Sequence, residues 1–202
     1  MSRRVCGLES DRPLAKHGAR ERMAAMDDGA ERDGGPPVDA VPALLVDNFA
    51  IFRRNQVPGD AVPEDRRSIL QRGRVARRGL NPELARRVLT RLGDVWVIPG
   101  RDWVALFDGS MTAGPIEPAV HNGKVMWGSF HTGVELVTGL VPDGVAKVTL
   151  LSSSGEQRLA AVRSNIYRAE LSTTFRLGRF LGPAGEVTFG PGSRANPGQK
   201  PG

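Results

Sequence analysis

The apolar residues of this chain change their period once, near residue 93, and that change limits the available folds more than any other feature. Upstream, Val41, Leu44, Leu45, Phe49 and Phe52 recur at helical spacing. Downstream, apolar residues come in short runs: Val95–Ile98, Trp103–Phe107, Val134–Val141 and Val145–Leu151. Pro99-Gly100, Asp108-Gly109 and Pro142-Asp143-Gly144 divide these runs as turn chemistry would. Helices first and strands afterwards predict an α+β fold, with N-terminal helices followed by an antiparallel β-meander or sandwich-like sheet.

Local signals place the elements. A helix is expected from Asp39, an N-cap residue with Pro42 in the first turn, through Arg54. A second should open at Pro63-Glu64-Asp65, be weakened at Gly73 and end at Gly79. Asn81-Pro82-Glu83 is the strongest start signal, with Leu84, Val88, Leu89 and Leu92 on one helical face and Gly93 as the stop. Asn122-Gly123, between the runs 116–121 and 125–130, favours a two-residue type I′ hairpin. Ser152–Gly155 should turn one strand into Gln157–Arg163, and Ile166–Leu171 alternates, with Tyr167, Ala169 and Leu171 on one face. A last hairpin is expected over 174–189, turning at 182–185.

These elements form one domain over 39–189, helical over 39–93 and β over 94–189, roughly 150 residues and enough for a single core. Residues 1–38 and 190–202 mix charges with Gly and Pro and lack apolar periodicity, so both are expected to be disordered tails. Met23 and Met26 are possible starts besides Met1.

No run approaches the roughly 18 apolar residues of a membrane helix, and no apolar stretch follows Arg3-Arg4 as in a secretory signal. The expectation is a cytoplasmic chain. The lone Cys6 excludes an internal disulfide and a multi-Cys metal centre, and no phosphate loop, HExxH, EF-hand or GxSxG pattern is present, so no metal or cofactor is expected.

The net charge of +6 is unevenly placed: residues 53–91 carry eleven arginines against Asp60, Glu64, Asp65 and Glu83. At about 100° per residue, Arg66, Arg67, Arg74, Arg77 and Arg78 share an arc of about 120° on one helix face. Such a face could neutralise the phosphates of a nucleic acid or another polyanion, although it also suits plain solvation and includes Leu70. His121 and His131, at the ends of neighbouring strands, could form an acid–base pair in a small hydrolase-like site, but polar residues also belong at hairpin ends. Ser152-Ser153-Ser154 reads as turn chemistry ahead of Gly155, and Trp96, Trp103 and Trp127 as core residues of strands.

From about Ala43 to Leu171 the chain resembles an uncharacterised actinobacterial-type protein family. The similar stretches are LLVDNFAIFRR (44–54), NPELARRVLTRLGDVWVIPG (81–100), GLVPDGVAKVTL (139–150) and VRSNIYRAEL (162–171). The resemblance brings no catalytic motif. It implies a membrane or export segment ahead of this region and cysteines near 105–115, and this sequence has neither. Pro142-Asp143-Gly144 and Asn165 read as structural. The favoured expectation is therefore a non-catalytic interaction or ligand-recognition domain whose partner, another protein or a ligand, engages a sheet face or loop tips. Polyanion binding through 66–91 and a histidine hydrolase are the alternatives, and neither is favoured.

Overall fold

A computed structural model describes residues 37–70, 78–127 and 133–190, with 124–127 as backbone only. The expected disordered tails lie outside the described residues, except for 37–38 and 190. The described residues belong to one compact unit. They form an α+β fold of a few short helices and two antiparallel sheets.

The first helical pattern is real but broken. Helix α1 spans Ala43–Asn48 and α2 spans Ala50–Arg53, with Phe49 extended between them at φ −132°. The break turns Leu45, Phe49, Ile51 and Phe52 into one core, where each is at most 5% exposed. Pro42 occupies the cap position expected for Asp39, and no side chain caps the helix. Helix α3, Glu64–Leu70, follows Pro63 with Glu64 and Asp65 in its first turn, as its sequence demands.

The expected helix over 81–93 is absent. The Asn81 side chain does accept from the Glu83 N–H, and Pro82 follows it, but the signal yields only a 3-10 turn, Pro82–Leu84. Strand β1, Arg86–Thr90, then pairs with β2, Gly93–Pro99. The β part thus begins at Arg86 and not after 93. A helix would place Val88, Leu89 and Leu92 together, whereas the strand buries Val88 and leaves Leu89 exposed. Cross-strand pairing and burial of Val88 against Val95 override the local helical preference. Strands β3, Trp103–Phe107, and β4, Met111–Pro115, complete a sheet of order β1-β2-β3-β4. Both faces of this sheet are covered: Val88, Val95, Val97, Val104 and Leu106 meet α1 and α2, while Trp96, Ile98, Ala105 and Phe107 meet Val62, Leu70 and Leu80.

The type I′ hairpin expected at Asn122-Gly123 is also absent. Ile116–Asn122 is helix α4, whose Ile116, Ala119 and Val120 are buried at helical spacing. Gly123 caps it, with its N–H on the Ala119 carbonyl, at φ 72° and ψ 167°, a region essentially restricted to glycine. A two-residue turn of the type I′ kind lies instead at Ser164-Asn165. There φ is 47° and 67°, both positive as type I′ requires, and Arg163 pairs with Ile166 across it.

The second sheet contains β5 (Lys124–Trp127), β6 (Glu135–Leu140), β7 (Lys147–Ser152), β8 (Gln157–Arg163), β9 (Ile166–Leu171), β10 (Phe175–Gly182) and β11 (Gly185–Phe189). Their order is β11-β10-β7-β8-β9-β6-β5. The sheet is rolled. Tyr167 of β9 and Phe189 of β11 stand four strands apart, about 19 Å in a flat sheet, yet their ring centroids are 6.1 Å apart. The roll encloses Val137, Val148, Leu150, Tyr167, Leu171, Phe175, Phe180 and Phe189. Rings this large fit because they lie on bare backbone: a methyl group at Gly139 would sit 2.2 Å from Tyr167, and one at Gly178 2.1 Å from Phe189. The buried Glu135 carboxylate accepts the Phe175 N–H and ties β6 to β10 across the roll.

Two polar clusters fasten the parts. Asp143 accepts the Ala50 N–H and pairs with Arg53, while Asn165 accepts the Ile51 N–H and donates to the Val141 carbonyl and to Asp143. The turn motif and the bend asparagine thereby hold α2 against the rolled sheet. On the far side Arg168 of β9 meets Asp108 of the β3–β4 loop at 2.6 Å, and their side chains are 6% and 7% exposed.

Candidate interaction face

Alternation along three adjacent strands, β10, β7 and β8, gives the rolled sheet an inner and an outer surface. On β7, Val148, Leu150 and Ser152 are buried and Lys147, Thr149 and Leu151 are not. On β8, Ala160 points in, and Gln157, Leu159 and Ala161 are exposed. On β10 the register shifts between Phe175 and Leu177, after which Gly178 and Phe180 point in and Leu177, Arg179 and Leu181 point out.

Pairing sets these outward residues in rows. Thr188, Arg179, Thr149 and Leu159 form one row, and Leu177, Leu151 and Gln157 the next. Leu181 lies beyond them on β10, opposite Glu186 of β11. Leu159 is 60% exposed and Leu181 72%, the two highest values among the large apolar side chains of the described residues.

The face is bare because the first half of the chain covers only the other part of the same surface. Leu140 of β6 and Ile166 of β9 are in the core shared with α1, α2, α4 and the small sheet. Arg168 is taken by Asp108. Nothing among the described residues lies over β7, β8 and β10 in that way. Scattered exposed leucines are ordinary; Leu177, Leu151 and Leu159, neighbours by register on one sheet face, are not scattered.

The polar residues of the face have one dominant sign. Lys147, Arg163 and Arg179 are exposed, and none has an ion pair or side-chain hydrogen bond among the described residues. Glu186 is the acid among the residues of these rows. Between Thr149, Leu151, Gln157, Leu177 and Arg179 lies a shallow depression of about 60 Å³. It admits the end of one aliphatic side chain, and is well below the roughly 300 Å³ or more of a small-molecule site.

Of the arginines singled out from sequence, Arg66, Arg67 and Arg78 are described, and each has a partner within the molecule. The Arg66 guanidinium lies 5.4 Å from the Trp96 ring centre and that of Arg78 lies 4.3 Å from the Trp103 ring centre. Arg67 pairs with Glu64 and Glu83 and donates to the Val62 carbonyl. Arg74 and Arg77 lie outside the described residues. So does His131, while His121 is exposed in the last turn of α4. Trp96 and Trp103 lie in strands as expected, and Trp127 is in β5. Ser152 and Ser154 bond each other, and Ser152 accepts the Glu156 N–H, which is turn chemistry.

Asp60, Asp143 and Glu135 have shifted pKa values and hydrogen-bond partners within the fold. Burial alone would raise the Asp60 pKa, but the Arg54 guanidinium and the N–H groups of Val57 and Arg87 outweigh it and bring the value down to about 2. Asp143 is lowered as well: its bonds from Asn165, Ala50 and Arg53 outweigh burial. Burial raises Glu135, against the single bond from Phe175. Among the described residues no group of three or more His, Cys, Asp or Glu could hold a metal ion, and no helix is long and apolar enough to cross a membrane.

The leucine face was not singled out from the sequence. Its signal is the alternation in Leu177-Gly178-Arg179-Phe180-Leu181, where a glycine marks the crowded inner surface and leucines fall on the other. Compared with family models, curated proteins and solved structures, the chain matches none.

Proposed function

We propose that this chain is a non-catalytic interaction domain that binds another protein through the outer face of β8, β7 and β10. The observation that carries this reading is the outward set Leu177, Leu151 and Leu159, neighbours by register, with Leu181 beyond Arg179, on the part of the rolled sheet that the rest of the fold leaves uncovered. The size of the depression favours a macromolecule that contributes single side chains over a small ligand. The carboxylates with shifted pKa, Asp60, Asp143, Glu135 and Glu156, each have a hydrogen-bond partner within the fold.

The test is affinity capture from host extract with the full chain, a Leu159→Glu, Leu181→Glu variant, and Leu89→Glu as a control at an exposed leucine of the other sheet. A protein retained by the unmodified chain and by the control, but lost from the double variant, is expected. Equal retention by all three would end this reading.

A further inference from the structure

If the outer face binds a protein, its charge and relief also specify that protein's chemistry, and the inference made here rests on the reading above. We infer that the face takes an acidic amphipathic segment, with a carboxylate on Arg179 and a neighbouring apolar side chain in the depression beside it. Arg179 is central: Leu177 and Leu181 flank it along β10, Thr149 and Thr188 lie opposite it on β7 and β11, and its side chain walls the depression. An arginine set among leucines is held partly away from water once covered, which strengthens a two-point bond to a carboxylate. Lys147 lies across from Ala161, and Arg163 follows two residues further along β8, so further positive charge borders the leucines.

The same features weigh against two other occupants. A second copy would set Arg179, Lys147 and Arg163 against their own like in a chain of net charge +6. A lipid surface is usually met with exposed aromatic anchors, and no outward residue of these rows is aromatic.

The experiment uses the full chain and a labelled synthetic peptide of alternating leucine and glutamate. Its probes for comparison are the leucine–lysine counterpart and vesicles of phosphatidylcholine with phosphatidylserine. The acidic peptide should bind at least about tenfold more tightly than the basic one, with an affinity that falls as salt rises. Arg179→Gln should weaken it about tenfold and flatten the salt dependence, and Leu159→Ser with Leu181→Ser should remove binding at unchanged melting temperature. Equal binding of both peptides, no binding of the acidic one, undiminished binding by Arg179→Gln, or preference for the vesicles would each overturn the inference. If the peptides fail while the Leu159→Glu, Leu181→Glu variant still loses its host partner, only the acidic chemistry is wrong. If that variant keeps the partner, the interaction reading itself has failed.

Discussion

Glu135 shows how a single residue can serve the fold and weaken it at once. Its carboxylate closes the roll onto the Phe175 N–H, but burial in an apolar surround raises its pKa above the ordinary 4.5. The folded state therefore holds this proton more tightly than the unfolded one. Stability should fall as pH rises from about 4.5 through the folded value, and stay at the lower level above it. Glu135→Gln keeps an oxygen for Phe175 without the charge. We expect it to be at least as stable as the unmodified protein at pH 7, with the difference shrinking toward pH 4. Urea midpoints across that range test this, and a variant uniformly weaker at all pH values would contradict it. Asp60 shows the opposite case. Four donors more than offset its burial, so its contribution is present above pH 4 and is lost only as pH falls toward about 2.

Among the elements, the Ser164-Asn165 turn couples several parts. It reverses β8 into β9, and its Asn165 side chain reaches α2 and the Pro142-Asp143-Gly144 turn. Two contributions can be separated. Asn165→Gly keeps the left-handed backbone and removes three side-chain hydrogen bonds, leaving the Ile51 N–H without its partner; a loss of about 2–3 kcal/mol is expected. Asn165→Ala should cost roughly 1 kcal/mol more, because alanine tolerates positive φ less well than asparagine or glycine. Chemical denaturation measures both, and a glycine variant as stable as the original would reduce the role of Asn165 to turn geometry.

At the scale of the whole molecule, the two sheets are joined by an apolar core and by the buried Arg168–Asp108 pair. Burial lowers the Arg168 pKa, against the opposing pull of Asp108 and Asp94, and its Nε has no partner. Such a pair is costly to break and not costly to replace. Arg168→Met alone should destabilise by about 3–5 kcal/mol, since Asp108 is left buried and charged. Adding Asp108→Asn should recover most of that loss while keeping an acceptor for Ser110. Failure of the second substitution to restore stability would show that the charges themselves organise the junction of the sheets.

The sequence by itself determined the α+β class, the burial of β2 and β3, the turns at Pro142-Asp143-Gly144 and Gly155, and the inward set Tyr167, Ala169 and Leu171. Each of these follows from residues within a few positions of one another, where period and turn chemistry act directly. Tertiary structure decided what depends on distant partners. Residues 86–90 became a strand because β2 supplied both pairing and a core for Val88. Asn122-Gly123 ended a helix because Ile116, Ala119 and Val120 had a core to fill. Arg66 and Arg78 turned to tryptophans that no helical wheel could place beside them. The candidate face is the clearest case. Alternation names the outward residues of β7, β8 and β10, but whether a sheet surface is covered depends on where the other half of the chain packs. Here it packs on β6 and β9 and leaves the leucines open.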